Sequence, residues 1–292
     1  MIGRMGWRYL ERSVGYSRPI AVALSRPRLL GAALAVALEA IRSFFLPQFG
    51  NSILRRRAVI NVGHPLDDAV PFNPRHSGKY MEFVKLWMSA LYRLWQIYGD
   101  EALPELVGYV GDIRRLYTEA GSVYRIVHTT TDRPKENPDL RFALIHALDP
   151  HLNCVPSLHV LIVFTNWKLA AGFVSRKGGA RSDAMARWLD RQRDEALAIT
   201  ESVLYVKQHS INCIGASLFY LVRRCPGFTD ADVREAVRDL FASTEADLPA
   251  IGELRASIIE IYERLGTAFS RAPERGWRAH LLDFIYSFEA GR

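Results

Sequence analysis

Two short segments carry residue types suited to holding and handling a phosphate. The first is Cys154-Val155-Pro156-Ser157-Leu158-His159. Pro156 ends one element and Ser157 can cap the helix that follows, so Ser157 and His159 stand where backbone N–H groups at a helix start favour an anion. The second is Lys207-Gln208-His209-Ser210-Ile211-Asn212-Cys213, with a cation two residues before a histidine and a small polar group one turn after it. Positions four apart share a helix face, so Cys213 can approach the His209 ring. A lone helical histidine is more often a packed, hydrogen-bonded residue than a catalyst. It is the combination of the two segments that raises the anion-handling reading above that ordinary one.

The elements that must position these segments read as helices. Tyr80, Phe83, Val84, Trp87, Leu91, Leu94, Trp95 and Tyr98 recur with a period near 3.6, with Lys79, Glu82, Lys85 and Arg93 between them, the pattern of an amphipathic helix. Period-two alternation is scarce, and only 58–62 and 123–131 read as brief extended stretches or loops. Proline and glycine separate the helices at Pro71, Pro74, Gly99, Pro104, Pro134, Pro138, Gly178-Gly179, Pro226-Gly227, Pro249 and Pro273. From Asp183 to Arg224 there is no proline and a single glycine, Gly215, which predicts a long helix, broken at most once, carrying Lys207-Gln208-His209. Thr229 and Asp230 can cap a further helix. The expected fold is all-α, one domain with three parts: basic amphipathic helices over 1–60, a helical core over 61–225, and packing helices over 226–292.

Composition narrows the partner. The 292 residues are 49% hydrophobic, and 38 Lys and Arg outnumber 31 Asp and Glu for a formal charge of +7, which suits an anionic partner without naming it. No nucleic-acid motif accompanies the charge. Cys154, Cys213 and Cys225 are too few and too scattered for a disulfide framework or a cysteine-rich zinc site. His146, Asp149 and His151 match no established metal spacing and read as a structural loop, so no metal or other cofactor is expected. The longest apolar run, Leu29 to Leu38, is interrupted by Glu39 and Arg42, short of the ~20 residues a spanning helix needs. The 28 residues and six arginines before it are too long for a signal-peptide n-region. Arg4, Arg8, Arg12, Arg18, Arg26 and Arg28 lie among Trp7, Tyr9, Leu10 and Tyr16, a segment that either lies on an anionic membrane surface or docks on the core with solvated arginines. A cytoplasmic protein, either soluble or peripherally attached at the membrane surface, is the expectation.

Taken in order, Arg133-Pro134, Pro156-Ser157-Leu158-His159 and the Lys207 segment resemble the three motifs of the type 2 phosphatidic acid phosphatase superfamily, which includes lipid phosphatases, bacterial acid phosphatases and vanadium haloperoxidases. The nearest likeness is to its inositol phosphorylceramide synthase branch. That branch has a bulky residue where Leu158 stands, a Lys-Gln-His core in its third motif, and an upstream segment similar to Asp67-Asp68-Ala69-Val70-Pro71-Phe72-Asn73-Pro74 with Tyr80 following. The likeness spans 67–217. It implies a helical bundle of the phosphatase/haloperoxidase type and metal-independent chemistry. His209 would be the nucleophile that becomes a phosphohistidine, and His159 the general acid and base. Arg133, Ser157, Lys207 and, one position from the usual spacing, Arg125 would hold the phosphate.

Two departures stand out. Ser202 is followed by Val203 where the family has Ser-Arg, leaving Lys207 as the replacement cation. Cys213 occupies the position of the aspartate that orients the nucleophile, and a neutral thiol is a weak acceptor; Asn212 or a carbonyl is the other orienter the sequence offers. The expected function is a phosphatase or phosphotransferase acting on a phosphate or diphosphate ester of a hydrophobic alcohol, lipid or prenyl. The alternatives are a non-catalytic relative that binds an anion or a membrane surface and, ranked lower, a vanadate-dependent haloperoxidase.

Overall fold

The structure is a computed structural model and describes residues 14–54, 57–134, 140–177, 183–243 and 250–290. Arg4, Arg8, Arg12, Pro138, Gly178-Gly179 and Pro249 lie outside the described residues. The chain is mostly helical: α1 (Ser17–Leu24), α2 (Pro27–Ala40), α3 (Leu46–Leu54), α4 (Ser77–Tyr80), α5 (Phe83–Tyr98), α6 (Leu103–Tyr124), α7 (Leu140–Leu148), α8 (Leu158–Arg176), α9 (Asp183–Tyr205), α10 (Ile211–Arg224), α11 (Asp230–Asp239), α12 (Ile251–Arg271) and α13 (Gly276–Ala290). Two three-residue strands, β1 (Val59–Asn61) and β2 (His128–Thr130), pair in parallel with Val59 opposite His128, and Thr129 bridges to Asn153. Both extended stretches read from the sequence therefore contain a strand, although Val123 and Tyr124 finish α6.

The centre of the fold is α8, which packs against α5, α6, α9 and α10. Its first nine residues, Leu158 to Asn166, are all buried, as a helix apolar on every side requires. One continuous hydrophobic cluster runs from Val14 to Ile285. In α5 the apolar stripe faces the core as its periodicity predicts, but Arg93 is not on the solvent face: it is buried, and its guanidinium donates to Gln96 Oε1 at 2.7 Å. Gly99 ends that helix with φ +69°, a conformation that glycine adopts without strain. Thr229 caps α11 through the Asp232 N–H, as its position suggested.

The α2 segment differs from its sequence reading. It continues through a π-helical turn, Ile41–Phe45, into α3, so that one helix, Pro27–Leu54, is long and apolar enough to cross a membrane by length and composition. Glu39 does not interrupt it, because its carboxylate is buried and accepts a hydrogen bond from Ser43. A second such helix, Leu158–Arg176, is a mostly buried core helix.

Close approach between α10 and α12 depends on Gly215. A Cβ there would lie 2.6 Å from Ile261 Cγ2 and 3.1 Å from the Ile258 carbonyl oxygen. Gly215→Ala is therefore expected to lower unfolding stability by about 1–3 kcal/mol, the usual cost of overpacking a filled interface, as read from urea denaturation.

Candidate functional site

The β1–β2 ribbon delivers the segment that precedes α8. The Thr129 carbonyl accepts the Cys154 N–H at 3.2 Å, and the Thr129 hydroxyl accepts the Val155 N–H at 2.9 Å. The Tyr124 hydroxyl donates to the Pro156 carbonyl, and the Ser157 N–H donates to Ser217 Oγ at 2.8 Å, tying the start of α8 to α10. Ser157 occupies the N-cap position, yet its side chain makes no cap hydrogen bond. Its hydroxyl instead lies 3.2 Å from His209 Nε2. The capping role read from the sequence gives way to a contact between the two motifs.

The predicted long helix breaks at the second histidine. After α9, Lys207 takes a left-handed conformation, φ +53°, and the N–H groups of Gln208 and His209 both donate to the Val203 carbonyl. Ser210 then caps α10 by accepting the Asn212 N–H at 3.2 Å. The Asp67–Pro74 segment braces this break. The Asn73 N–H donates to the Tyr205 carbonyl at 2.9 Å, the Ile211 N–H donates to Asp67 Oδ1 at 3.0 Å, and the Lys207 ammonium donates to the Asp67 carbonyl. Asn212 is not an orienter of His209, since its amide donates to the Val62 and Gly63 carbonyls and so ties α10 to β1.

These constraints place the His159 and His209 rings 5.6 Å apart, centroid to centroid, at 65°. His159 is packed against Tyr80 at 4.1 Å and Phe83 at 4.2 Å, and its Nε2 is buried without a hydrogen-bond partner. Burial, with the nearby His209 adding to it, pushes the His159 pKa well below the ordinary histidine value, so the ring is neutral. Arg133 donates to the Asp149 carbonyl at 3.0 Å and to Gln208 Oε1 at 3.2 Å, beside the pair. Lys207 is half-buried near Asp67 and Asp68. Arg125 is set apart: it is exposed at the end of α6, where it donates to Ser43 Oγ at 3.3 Å.

Cys213 is fully buried one turn into α10, and its sulphur accepts the Ser210 N–H at 3.4 Å. Nδ1 of His209 is buried with no well-formed hydrogen bond, and the Cys213 sulphur is a polar group that interacts with the ring. Burial disfavours a thiolate here. Interactions with the Cys154 thiol, His209 and the Ser210 N–H outweigh it and bring the Cys213 pKa down to about 6, while Cys154 is pushed well above its usual value.

Two recesses of contrasting chemistry flank the histidines. His159 lines an apolar cavity of about 400 Å³ with Phe44, Phe45, Tyr80, Phe83 and Tyr117. His209 lines a polar recess of about 410 Å³ with Asn61, His64, Asp67, Asp132 and Lys207. A narrow crevice touches both rings together with Asp149, His151 and Gln208. The Asp149–His151 loop, read from the sequence as structural, is indeed hydrogen-bonded within itself, Asp149 Oδ1 accepting the His151 N–H at 2.8 Å. It also walls the site, which sequence reasoning missed; its position just ahead of Cys154 was the available signal. Among the described residues no group of three or more His, Cys, Asp or Glu side chains could hold a metal ion.

The His159 shift has a consequence for stability. Its folded pKa lies below the unfolded value of ~6.5, so between the two the unfolded chain binds more protons, and stability falls as pH drops through that window. Asp67 and Asp149, raised by burial, act in the opposite sense. The difference between variants isolates the histidine: His159→Phe is expected to remove a slope of up to ~1.4 kcal/mol per pH unit from the urea-unfolding stability below pH ~6.5. Identical slopes in the two proteins would contradict a buried, neutral His159.

Comparison with protein-family models, with curated proteins and with solved structures gave no match.

Proposed function

We propose that this chain is a phosphatase or phosphotransferase, a divergent relative of the type 2 phosphatidic acid phosphatases, acting through a phosphohistidine on a phosphate or diphosphate ester of a hydrophobic alcohol. The observation that carries the reading is the meeting of His159 and His209, from two helix starts far apart in sequence, with an apolar cavity beside one ring and a polar recess beside the other.

In this scheme His209 Nε2 attacks phosphorus and the bond to the ester oxygen breaks in line. The leaving alcohol lies on the His159 side, where the apolar cavity suits its chain. His159 Nε2 gives a proton to the leaving oxygen and then takes one from the water or alcohol whose oxygen attacks phosphorus, breaking the phosphorus–nitrogen bond and releasing His209. Positioned proton transfer of this kind is worth ~10²–10⁴ in rate. Burial keeps His159 neutral, and an arriving phosphate stabilises its charged form, so the proton is acquired with the substrate. Ser157 Oγ, 3.2 Å from the attacking nitrogen, and the guanidinium N–H groups of Arg133 not used by Asp149 and Gln208 would bear the equatorial oxygens. The Cys213 sulphur takes the orienting role beside Nδ1.

The vanadate reading needs a ring of cations, and this site supports it less well. The Lys207 ammonium is engaged by Asp67, Arg125 points to Ser43, and Asp67, Asp68 and Asp132 wall the recess. The test is direct trapping. Protein incubated with a ³²P-labelled prenyl or lipid phosphate in excess chelator and quenched in base should carry an acid-labile label at His209. Product formation without labelled protein, or equal labelling of His209→Ala, would overturn the reading; labelled ligand retained without turnover would favour the non-catalytic alternative.

A further inference from the structure

The helix Pro27–Leu54 leaves a line of large apolar side chains uncovered by any described residue. Leu34, Leu38 and Ile41 follow the four- and three-residue spacing of one helix face. The π-turn Ile41–Phe45 then inserts the extra residue that keeps Leu46, five positions on, in the same line, and Ile53 follows two turns later. Leu38 is 67%, Leu46 61% and Ile53 78% exposed, whereas the opposite face, Leu29, Val36, Glu39 and Ser43, is buried. A soluble surface does not usually carry so long an apolar line.

The chemistry around that line identifies what covers it. Between residues 12 and 66 the chain has eight arginines and one acidic residue, Glu39, whose carboxylate is buried. Arg18, Arg28 and Arg42 are exposed, and Arg28 and Arg42, fourteen positions apart, border the same flank of the apolar line. An apolar face edged by arginine is complementary to the boundary of a bilayer containing anionic lipid. The helix is long enough to span, but α6 packs alongside it and carries Glu105, Asp112, Arg114, Arg115 and Glu119, which would be carried into hydrocarbon with it. Contact through the outer face alone avoids that cost.

The same helix forms a wall of the apolar cavity through Phe44 and Phe45, and α7, which adds Ile145 to that wall, exposes Leu140 and Leu144. We infer that the outer face of the Pro27–Leu54 helix lies in the interfacial layer of an anionic bilayer and opens the apolar cavity to it, so that the hydrophobic chain of a substrate passes from lipid to His159 without crossing water. The docking rests on the surface alone; the passage of substrate rests on the phosphoryl-transfer reading.

Flotation of the full chain with phosphatidylcholine vesicles, with and without 30% phosphatidylglycerol, separates the two. Wild-type protein is expected to float with the mixed vesicles and at least tenfold less with neutral ones. Leu38→Glu/Ile53→Glu should lose binding at least tenfold, and Arg28→Gln/Arg42→Gln should lose the preference for the anionic lipid, both with unchanged circular dichroism and unchanged hydrolysis of a short, soluble phosphate ester. Equal flotation of wild type and Leu38→Glu/Ile53→Glu would overturn the inference. So would a wild-type dimer, seen by light scattering, that does not float and that the double variant converts to monomer. Flotation needs no turnover, so its failure and the failure of the catalytic reading are distinguishable.

Discussion

Replacing His209 with alanine is expected to lower phosphate release by roughly 10⁴-fold or more, the scale on which removing the nucleophile acts in covalent catalysis. The size of the effect follows from the geometry. Nothing else at the site offers a lone pair in the same place, since Ser157 Oγ is a neutral hydroxyl directed at His209 Nε2 and the His159 ring is stacked on Tyr80 and Phe83. His209 is also buried, so truncation could act through folding. His209→Gln answers that objection, because it keeps a polar side chain of comparable length but cannot form a phosphohistidine. Both variants should lose turnover while retaining the wild-type melting transition within a few degrees. Turnover within tenfold of wild type in the glutamine variant would remove His209 from the mechanism and leave the anion-binding reading in its place.

What the sequence made legible, and what it did not, follows from the range of the interactions involved. The helical class was readable because the apolar stripe of α5 and the proline and glycine breaks are local signals. The pairing of Ser157 with His209 was hidden. Ser157 satisfies every local rule for a helix cap, and only the docking of α10 against the start of α8, through Ser217, turns its hydroxyl toward the second motif. The break at Lys207 was equally non-local. No proline or glycine marks it; it is held from outside by Asp67 and Asn73, more than a hundred residues upstream. Asp149 stands just ahead of Cys154, but its part in the site depends on Arg133 reaching its carbonyl, a contact between segments sixteen residues apart. For the apolar N-terminal helix, composition located the segment, but a charged residue at Glu39 looked like an interruption until Ser43 was seen to accommodate it.

The orienting position is where this site departs furthest from the pattern it resembles, and it yields the second large effect. Cys213 lies one turn into α10, where the helix start favours negative charge, and its sulphur accepts the Ser210 N–H. The interactions that bring the Cys213 pKa down to about 6 favour the thiolate, which would accept the Nδ1 proton of His209 as a carboxylate does. Cys213→Ser removes that charge with little change of volume. It should cost about 10²–10⁴ in turnover, the upper bound being the ~10⁴ lost when an orienting carboxylate is removed from a Ser-His-Asp enzyme. Cys213→Asp restores a permanent anion and is expected to stay within about tenfold of wild type. The pH profile separates orientation from simple packing. In wild type the anion is present above the depressed pKa, so turnover should fall as pH drops through about 6, with an apparent pKa that belongs to the coupled Cys213–Cys154 pair. In Cys213→Asp that acid limb should move to lower pH, because an aspartate ordinarily ionises near ~3.9. A serine variant within threefold of wild type, or an acid limb unmoved by aspartate, would show that the sulphur fills space beside His209 and does not orient it.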